Sequence, residues 1–407
     1  MTLNAKVASR FAHIELAPPD PILGLTDAFN ADKNPKKVNL GVGVYQDGTG
    51  KVPVLKTVRE AEARWYNEEK TKSYLPIDGV PTYKTAVQEL LLGKGSAIIA
   101  EGRAVTVQTL GGTGGLKTGA DFLKHFFPNA GVWISNPSWE NHRQLFGAAG
   151  FKVEAYPYYD AKTRGLDFTG MSEAIKNLPA GSIVLLHACC HNPTGVDPSR
   201  EQWNELAEIF KTHDLVPFID FAYQGFGEGI DEDAYAVRLF ANAGIPTLIS
   251  SSFSKSMSIY RERVGAMTVL TASADESKRV QSQLKRVIRT NYSNAVSHGA
   301  QVAAIILTDP ELRRRWEEEV TEMRSRIHKM RELFAKGLAA QGVKEDFSFI
   351  TRQRGMFSYT GLSKEIVQKL QKEFGVYIVG SGRACIAAMN ETNLPYICES
   401  IAAVLKG

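Results

Sequence analysis

The chain has 407 residues, 43% hydrophobic and 23% charged, ordinary proportions for a soluble protein with room for two or three domains of ~150 residues. Its 48 basic and 44 acidic residues leave a formal charge of +4, too small to point to a nucleic-acid or anionic-membrane partner. No apolar run approaches the ~20 residues of a membrane span, and four cysteines in this length form no disulfide framework but fit a reducing cytoplasm.

Residues 1–15 lack the apolar centre of a secretory signal, and Lys6 and Arg10 are soon followed by Glu15 and Asp20, so the segment reads as an N-terminal arm. From about 105 to 270, β-rich runs alternate with helical stretches. Val105–Leu110 is a predicted strand, followed by the loop Gly111-Gly-Thr-Gly-Gly115 and a helix over Leu116–Phe127 that Pro128 stops. Val132–Ser135 and Lys152–Tyr156 are further strands. Ser182–Cys190 is continuously apolar, as expected of a strand buried on both faces. Asp197-Pro198 is expected to cap and open a helix reaching about His213. Val216–Asp220, Thr247–Ser252 and Gly265–Leu270 complete the set. The alternation predicts an α/β fold with a mostly parallel sheet covered by helices.

Beyond 270 long helices follow, one running from Pro310 to about Ala340, whose Arg313-Arg-Arg-Trp-Glu-Glu-Glu319 run reads as a solvated, ion-paired face. From Phe347 a strand–helix–strand–helix pattern returns, with Gly375–Gly380 and Arg383–Ala388 as strands. The expected division is an arm over 1–15, a large domain over 49–325, and a smaller α+β domain built by both chain ends, 16–48 with 326–407.

Three motifs suggest other chemistries. His187-Ala-Cys-Cys-His191 has zinc-ligand residue types, but on a strand the two histidines would lie ~13 Å apart, too far for one metal. Gly111-Gly-Thr-Gly-Gly-Leu-Lys-Thr118 misses the nucleotide P-loop because Leu116 stands where a glycine must precede the lysine. Ser252-Phe-Ser-Lys255, Tyr292-Ser-Asn294 and Lys117-Thr-Gly119 match the three motifs of serine acyl-enzymes resembling penicillin-binding proteins. Their order along the chain is wrong, however, and Ser252 follows a strand rather than opening a helix.

Polar residues at strand ends point elsewhere. In open α/β sheets ligands bind beyond the carboxyl ends of the strands. Asn192, Asp220 and Lys255 each follow such an end, near small residues able to offer backbone N–H groups to a phosphate. A lysine beside an anion site, with an aspartate available for a ring nitrogen, is what pyridoxal phosphate requires.

Nearly the whole chain resembles the aspartate and aromatic-amino-acid aminotransferases, fold type I pyridoxal-phosphate enzymes. The resemblance rests on Asn39-Leu-Gly-Val-Gly-Val-Tyr45, Asn136-Pro-Ser-Trp-Glu-Asn-His142, His191-Asn-Pro-Thr-Gly195, Asp220-Phe-Ala-Tyr-Gln-Gly-Phe226, Ser252-Phe-Ser-Lys255, Arg261-Glu-Arg263, Arg289-Thr-Asn-Tyr-Ser-Asn294 and Ser381-Gly-Arg383. It implies that Lys255 bonds covalently to the cofactor and, once released, moves the substrate proton, with ping-pong kinetics between amino and keto acids. Asp220, supported by His142, would face the ring nitrogen; Tyr223 and Asn192 would face the ring oxygen, and Trp139 the ring plane. Gly112, Thr113, Ser252 and Arg263 would bind the phosphate, joined by Tyr74 of a neighbouring subunit. Arg383 would clamp the substrate α-carboxylate beside Gly43, and Arg289 from across the dimer would receive a side-chain carboxylate. No metal is implied. The expected activity is transamination between L-aspartate and 2-oxoglutarate, with aromatic L-amino acids as further substrates, in a cytoplasmic homodimer with shared sites. Thr113, Val44 and Asn294 are similar to aspartate-selective members, whereas Leu186–Asn192 and Gly355–Gly361 are similar to aromatic ones. An aromatic main activity is therefore the alternative.

Overall fold

A computed structural model describes residues 9–18 and 22–406. Part of the expected arm, residues 1–8, lies outside the described residues; in the rest, Phe11 and Ile14 are exposed.

The centre is a seven-stranded sheet of β1 (Ala104–Leu110), β2 (Val132–Asn136), β3 (Val153–Pro157), β4 (Ile183–His187), β5 (Val216–Phe221), β6 (Thr247–Ser252) and β7 (Val264–Leu270). Their spatial order is β1-β7-β6-β5-β4-β2-β3. Neighbours pair in parallel except around β7, which runs antiparallel to both β1 and β6. Every residue of β4, β6 and β7 is buried, which explains why these strands read as unbroken runs rather than alternating ones.

The register fixes where chemistry can sit. His187 at the end of β4 pairs with Asp220 on β5, and Asp220 pairs with Ser250 on β6, so three adjacent strands finish level with one another. Lys255 and Asn192 follow shortly after two of these ends.

Several boundaries differ from expectation. β4 stops at His187 instead of reaching Cys190. The helix after β1 begins at Gly111, not Leu116, so the glycines form its first turn rather than a loop. The next predicted helix starts at Arg200, capped by Ser199, whose hydroxyl and Gln202 make a reciprocal capping box. Asp197 is used differently: its carboxylate accepts the N–H groups of Cys190 (2.7 Å) and His191 (2.8 Å).

The helix Pro310–Ala340 has the expected bounds, with Asp309 as N-cap and Pro310 in the first turn. Leu312, Trp316, Val320, Met323, Ile327, Met330, Phe334 and Leu338 bury one stripe at three- and four-residue spacing. Its opposite face carries the solvated pairs Arg314–Glu311 and Arg314–Glu318, while Arg313 lies over the Trp316 ring and pairs with Glu317. The two chain ends meet where Val38–Asn39 pairs in parallel with Val376–Tyr377. There the predicted strands are shorter: Gly375–Gly380 contributes only Val376–Tyr377, and Arg383–Cys385 gives way to a 3-10 turn over Ile386–Ala388. Phe357–Tyr359 pairs antiparallel with Arg383–Cys385. No helix among the described residues is long and apolar enough to cross a membrane.

Candidate active site

A cleft of about 260 Å³ opens at the carboxyl ends of β4–β6. Gly43, Gly112, Thr113, Trp139, Asn192, Asp220, Tyr223, Ser252, Lys255, Arg263 and Arg383, all expected from the sequence, line it. His142 stands behind this lining, within the wall.

Asp220 is anchored at one end. His142 Nε2 donates to its carboxylate over 2.9 Å, and Ser138 Oγ lies 2.9 Å from His142 Nδ1. The helix Glu140–Ala148 sets this geometry: Trp139 occupies its N-cap position, and the His142 ring meets the indole edge to face at 5.1 Å. Burial raises the pKa of Asp220. The His142 hydrogen bond and the fields of His142, His187 and Lys255 outweigh burial and hold it below its ordinary value.

The opposite end is built for an anion. Gly112 and Thr113 lie in the first turn of the helix Gly111–Phe126, where backbone N–H groups have no partner within the helix. Ser252 and Ser254 add hydroxyls 3.1 Å apart. Arg263 adds a guanidinium, steadied by Ser254 Oγ (3.3 Å) and the Tyr260 carbonyl (2.9 Å). Arg263 has left-handed backbone (φ 53°), and its carbonyl accepts the Gly111 N–H at 2.9 Å. Gly111 must be glycine for this: its own φ is 67°, and a Cβ there would stand 2.5 Å from Arg263 Nη2.

Lys255 lies between the two ends, with Nζ 4.8 Å from the centre of the Tyr223 ring. Burial is the main force lowering its pKa, Arg263 and Arg383 add to it, and Asp220 opposes it; the result is about 8. The Tyr223 hydroxyl is 3.5 Å from Asn192 Nδ2, and burial raises its pKa. Asn192 Oδ1 in turn accepts from Arg383 Nη1 at 3.1 Å, while Arg383 Nη2 donates to the Gly41 carbonyl at 2.7 Å. Arg383 is 1% exposed, and its Nε has no partner among the described residues.

Two expected residues lie outside this cleft. Tyr74 is 91% exposed, and Arg289 sits at the exposed end of the helix Ala274–Asn291, bonded to Ser293. Tyr260 and Phe357 line the cleft without having been expected. Aromatic side chains ordinarily read as core, and only their proximity to Arg263 and to Gly355–Gly361 could have marked them.

The histidine pair is corrected. Because the strand ends at His187 and the chain turns, the rings of His187 and His191 are 4.3 Å apart, not ~13 Å. His191 spends both nitrogens on Thr194 and Ser135 (2.8 Å each) and stacks on Tyr158. The acyl-enzyme motifs are put to other uses: Ser252 Oγ donates to Ser254, and Lys117 pairs with Asp121 in the helix.

The donor set fits pyridoxal 5′-phosphate. Helix-start amides, two hydroxyls and a guanidinium suit a phosphate, an ionised carboxylate suits a protonated ring nitrogen, and an amine of lowered pKa stands between. Comparisons agree. A 55% identical relative, named aspartate aminotransferase, from Pseudomonas aeruginosa matches over 98% of this chain and all of its own. A crystal structure of an aromatic-amino-acid aminotransferase from Burkholderia pseudomallei, covalently bound to pyridoxal phosphate, superposes with a TM-score of 0.95 at 57% identity, covering 98% of this chain and 100% of that one. An aromatic amino acid aminotransferase from Psychrobacter sp. B6, crystallised with aspartic acid, gives 0.95 at 43% identity over 98% and 100% of the two chains. The family model for aminotransferase class I and II matches residues 35–401, and with this cleft behind the match, the chain belongs to that family.

Proposed function

We propose that the chain exchanges the amino group of L-aspartate, and of aromatic L-amino acids, with 2-oxoglutarate, as a pyridoxal-phosphate-dependent cytoplasmic homodimer. The observation that carries the substrate class is Arg383. It is a buried guanidinium with two bonds to fixed oxygens and an Nε without a partner among the described residues, lining the same cleft as the lysine. A carboxylate is the complement of such a fork.

When bound, the cofactor supplies an electron sink for the pair left at the substrate Cα. Asp220, ionised and held by His142, keeps a proton on the ring nitrogen. Trp139 limits the ring plane, and Tyr223 with Asn192 addresses the ring oxygen. Gly112, Thr113, Ser252 and Arg263 hold the phosphate. Lys255 Nζ would carry the proton away from the substrate Cα in the first half-reaction and deliver one to the Cα of the incoming keto acid in the second. Burial and the nearby guanidinium groups lower its pKa to about 8, which favours the neutral form that accepts a proton. Arg383, beside Gly43, orients the α-carboxylate.

Arg289 and Tyr74 serve the site of the partner subunit in this reading. Their position outside the chain's own cleft supports it, as does the exposure of Tyr66 (84%) and Tyr74. Similarity to relatives named for aspartate and for aromatic amino acids, at 55% and 57% identity, supports both substrates. The four cysteines, all free and buried, accord with a reducing compartment.

The test is visible absorbance of the purified protein before and after L-aspartate or L-phenylalanine, with no keto acid present. A yellow band that each amino acid bleaches supports the reading, and the two rates rank the substrates. Protein that stays colourless after incubation with pyridoxal phosphate refutes it.

A further inference from the structure

Arg331, on the helix Pro310–Ala340, is 1% exposed, yet among the described residues no carboxylate is a hydrogen-bond partner. Nη1 donates to Ser358 Oγ (2.6 Å), Nη2 to the carbonyls of Gly355 (2.5 Å) and Phe357 (2.7 Å), and Nε has no partner among the described residues. Burial lowers its pKa to about 10, so it remains a cation at neutral pH. The field of Asp197 favours the cation, but every hydrogen bond goes to a neutral oxygen, and a buried charge held in this way is costly. The structure directs all of its bonds at one four-residue segment.

That segment reaches the substrate end of the cleft. The Phe357 ring covers the Arg383 guanidinium, with Cζ of the arginine 4.1 Å from the ring centre. The ring tip also abuts the backbone at Gly43, where a Cβ would stand 2.6 Å from it. Phe357 pairs through its backbone with Cys385, and Tyr359 with Arg383 itself. On the other side, Gly355 packs on Cys190, and the Arg354 N–H donates to the Gly195 carbonyl at 2.7 Å. The strand gripped by Arg331 is therefore wedged between Arg383 and the loop that carries Asn192, the residue bonded to Arg383.

We infer that Arg331 is a positioning residue for substrate carboxylate binding, acting through Phe357 on Arg383. By fixing the carbonyls of Gly355 and Phe357, it holds the aromatic ring against one face of the Arg383 guanidinium. The guanidinium plane is then set by the ring, by Asn192 and by Gly41, and only its edge remains for a carboxylate. Loosening the strand lets the guanidinium turn, which weakens binding while leaving Asp220 and Lys255 in place. The inference rests on Arg383 being the carboxylate anchor.

The experiment uses the holoenzyme and succinate, a dicarboxylate with no amino group to react, with binding followed through the cofactor's absorbance. Arg383→Lys tests the anchor. Arg331→Lys, Arg331→Met, Ser358→Ala and Phe357→Leu test the positioning, and thermal melts confirm that each variant is folded. The expected result is a tenfold or greater rise in the succinate Kd and in KM for Arg331→Lys, with kcat within about threefold of the parent. Ser358→Ala should show a smaller rise in the same direction. Adding Phe357→Leu to Arg331→Lys should raise Kd by much less than the product of the single effects, since both act on one guanidinium. If Arg383→Lys binds succinate as the parent does, the anchor reading fails. If Arg383→Lys loses binding while folded Arg331→Lys and Ser358→Ala keep it, or if the effects of Arg331→Lys and Phe357→Leu multiply in full, Arg331 is structural only and the inference is overturned. Should Arg331→Met fail to fold, Arg331→Lys, Ser358→Ala and the double variant still decide.

Discussion

His142 Nε2 donates to Asp220 Oδ2 over 2.9 Å, with the imidazole fully buried and the carboxylate nearly so. The bond and the surrounding fields overcome the burial penalty, so the folded-state pKa of Asp220 falls below its ordinary value of 3.8. A carboxylate with a depressed pKa contributes stability above its unfolded value, which is lost as pH falls through the folded one. That window lies in acid, and the group stays ionised across the working range. Asp220→Asn removes the charge and keeps the shape. Turnover with aspartate should drop by about 10²–10³-fold, with an unchanged fold by circular dichroism. Full turnover in this variant would show that the ring nitrogen needs no anion here.

Lys255 has the opposite sign of charge and a pKa lowered to about 8. The neutral amine is the nucleophile that captures an aldehyde. Capture of pyridoxal phosphate by the apoprotein should therefore accelerate as pH rises and level off above about 8, read by stopped-flow absorbance. Its depressed pKa also means that the folded apoprotein binds fewer protons than the unfolded chain between about 8 and the ordinary lysine value of 10.5. This group adds stability as pH rises through that interval and withdraws it as pH falls. In Lys255→Ala, transamination should be lost with the fold retained, and that part of the pH dependence of apoprotein melting should disappear.

What could be read from the sequence follows from how contrast arises. Asp220, Asn192 and Lys255 stood out because each is a polar group closing an apolar strand, and the register then brings those ends level. Phe357 and Tyr260 did not stand out, since an aromatic residue facing a cleft looks like any other in the core. Arg331 was hidden in another way: neighbours such as Arg326, Lys329 and Glu332 make it one of many charges on a helix with a solvated face, and only burial distinguishes it. Asp197 before Pro198 had the pattern of a helix cap, but a carboxylate can equally accept from N–H groups behind it, and here Cys190 and His191 take it. The histidine spacing misled because a strand's rise applies only while the strand lasts.

In the proposed reading Arg289 bears on specificity. It is exposed at the end of its helix and, among the described residues, bonded only to Ser293, so it can be removed without opening the core. As the anchor for a distal carboxylate, its loss should lower kcat/KM for aspartate by about 100-fold. Phenylalanine, which lacks that carboxylate, should change by less than about fivefold in the half-reaction. Equal losses for the two amino acids would remove Arg289 from that role.

The proposed sharing of sites between subunits has a sharper consequence. In a two-fold dimer in which Arg289 serves the partner's Lys255, a hybrid of one Lys255→Ala chain and one Arg289→Ala chain contains one site with both residues intact and one with neither. Neither parent homodimer turns over aspartate well. Mixed in equal amounts and allowed to exchange, half of the dimers become hybrids, and aspartate turnover should recover to about a quarter of the unmutated level. If Arg289 instead served the lysine of its own chain, every site in every dimer would carry one defect, and mixing would restore nothing. Size-exclusion chromatography of differently tagged chains establishes that exchange has occurred, so a lack of recovery speaks directly against shared sites.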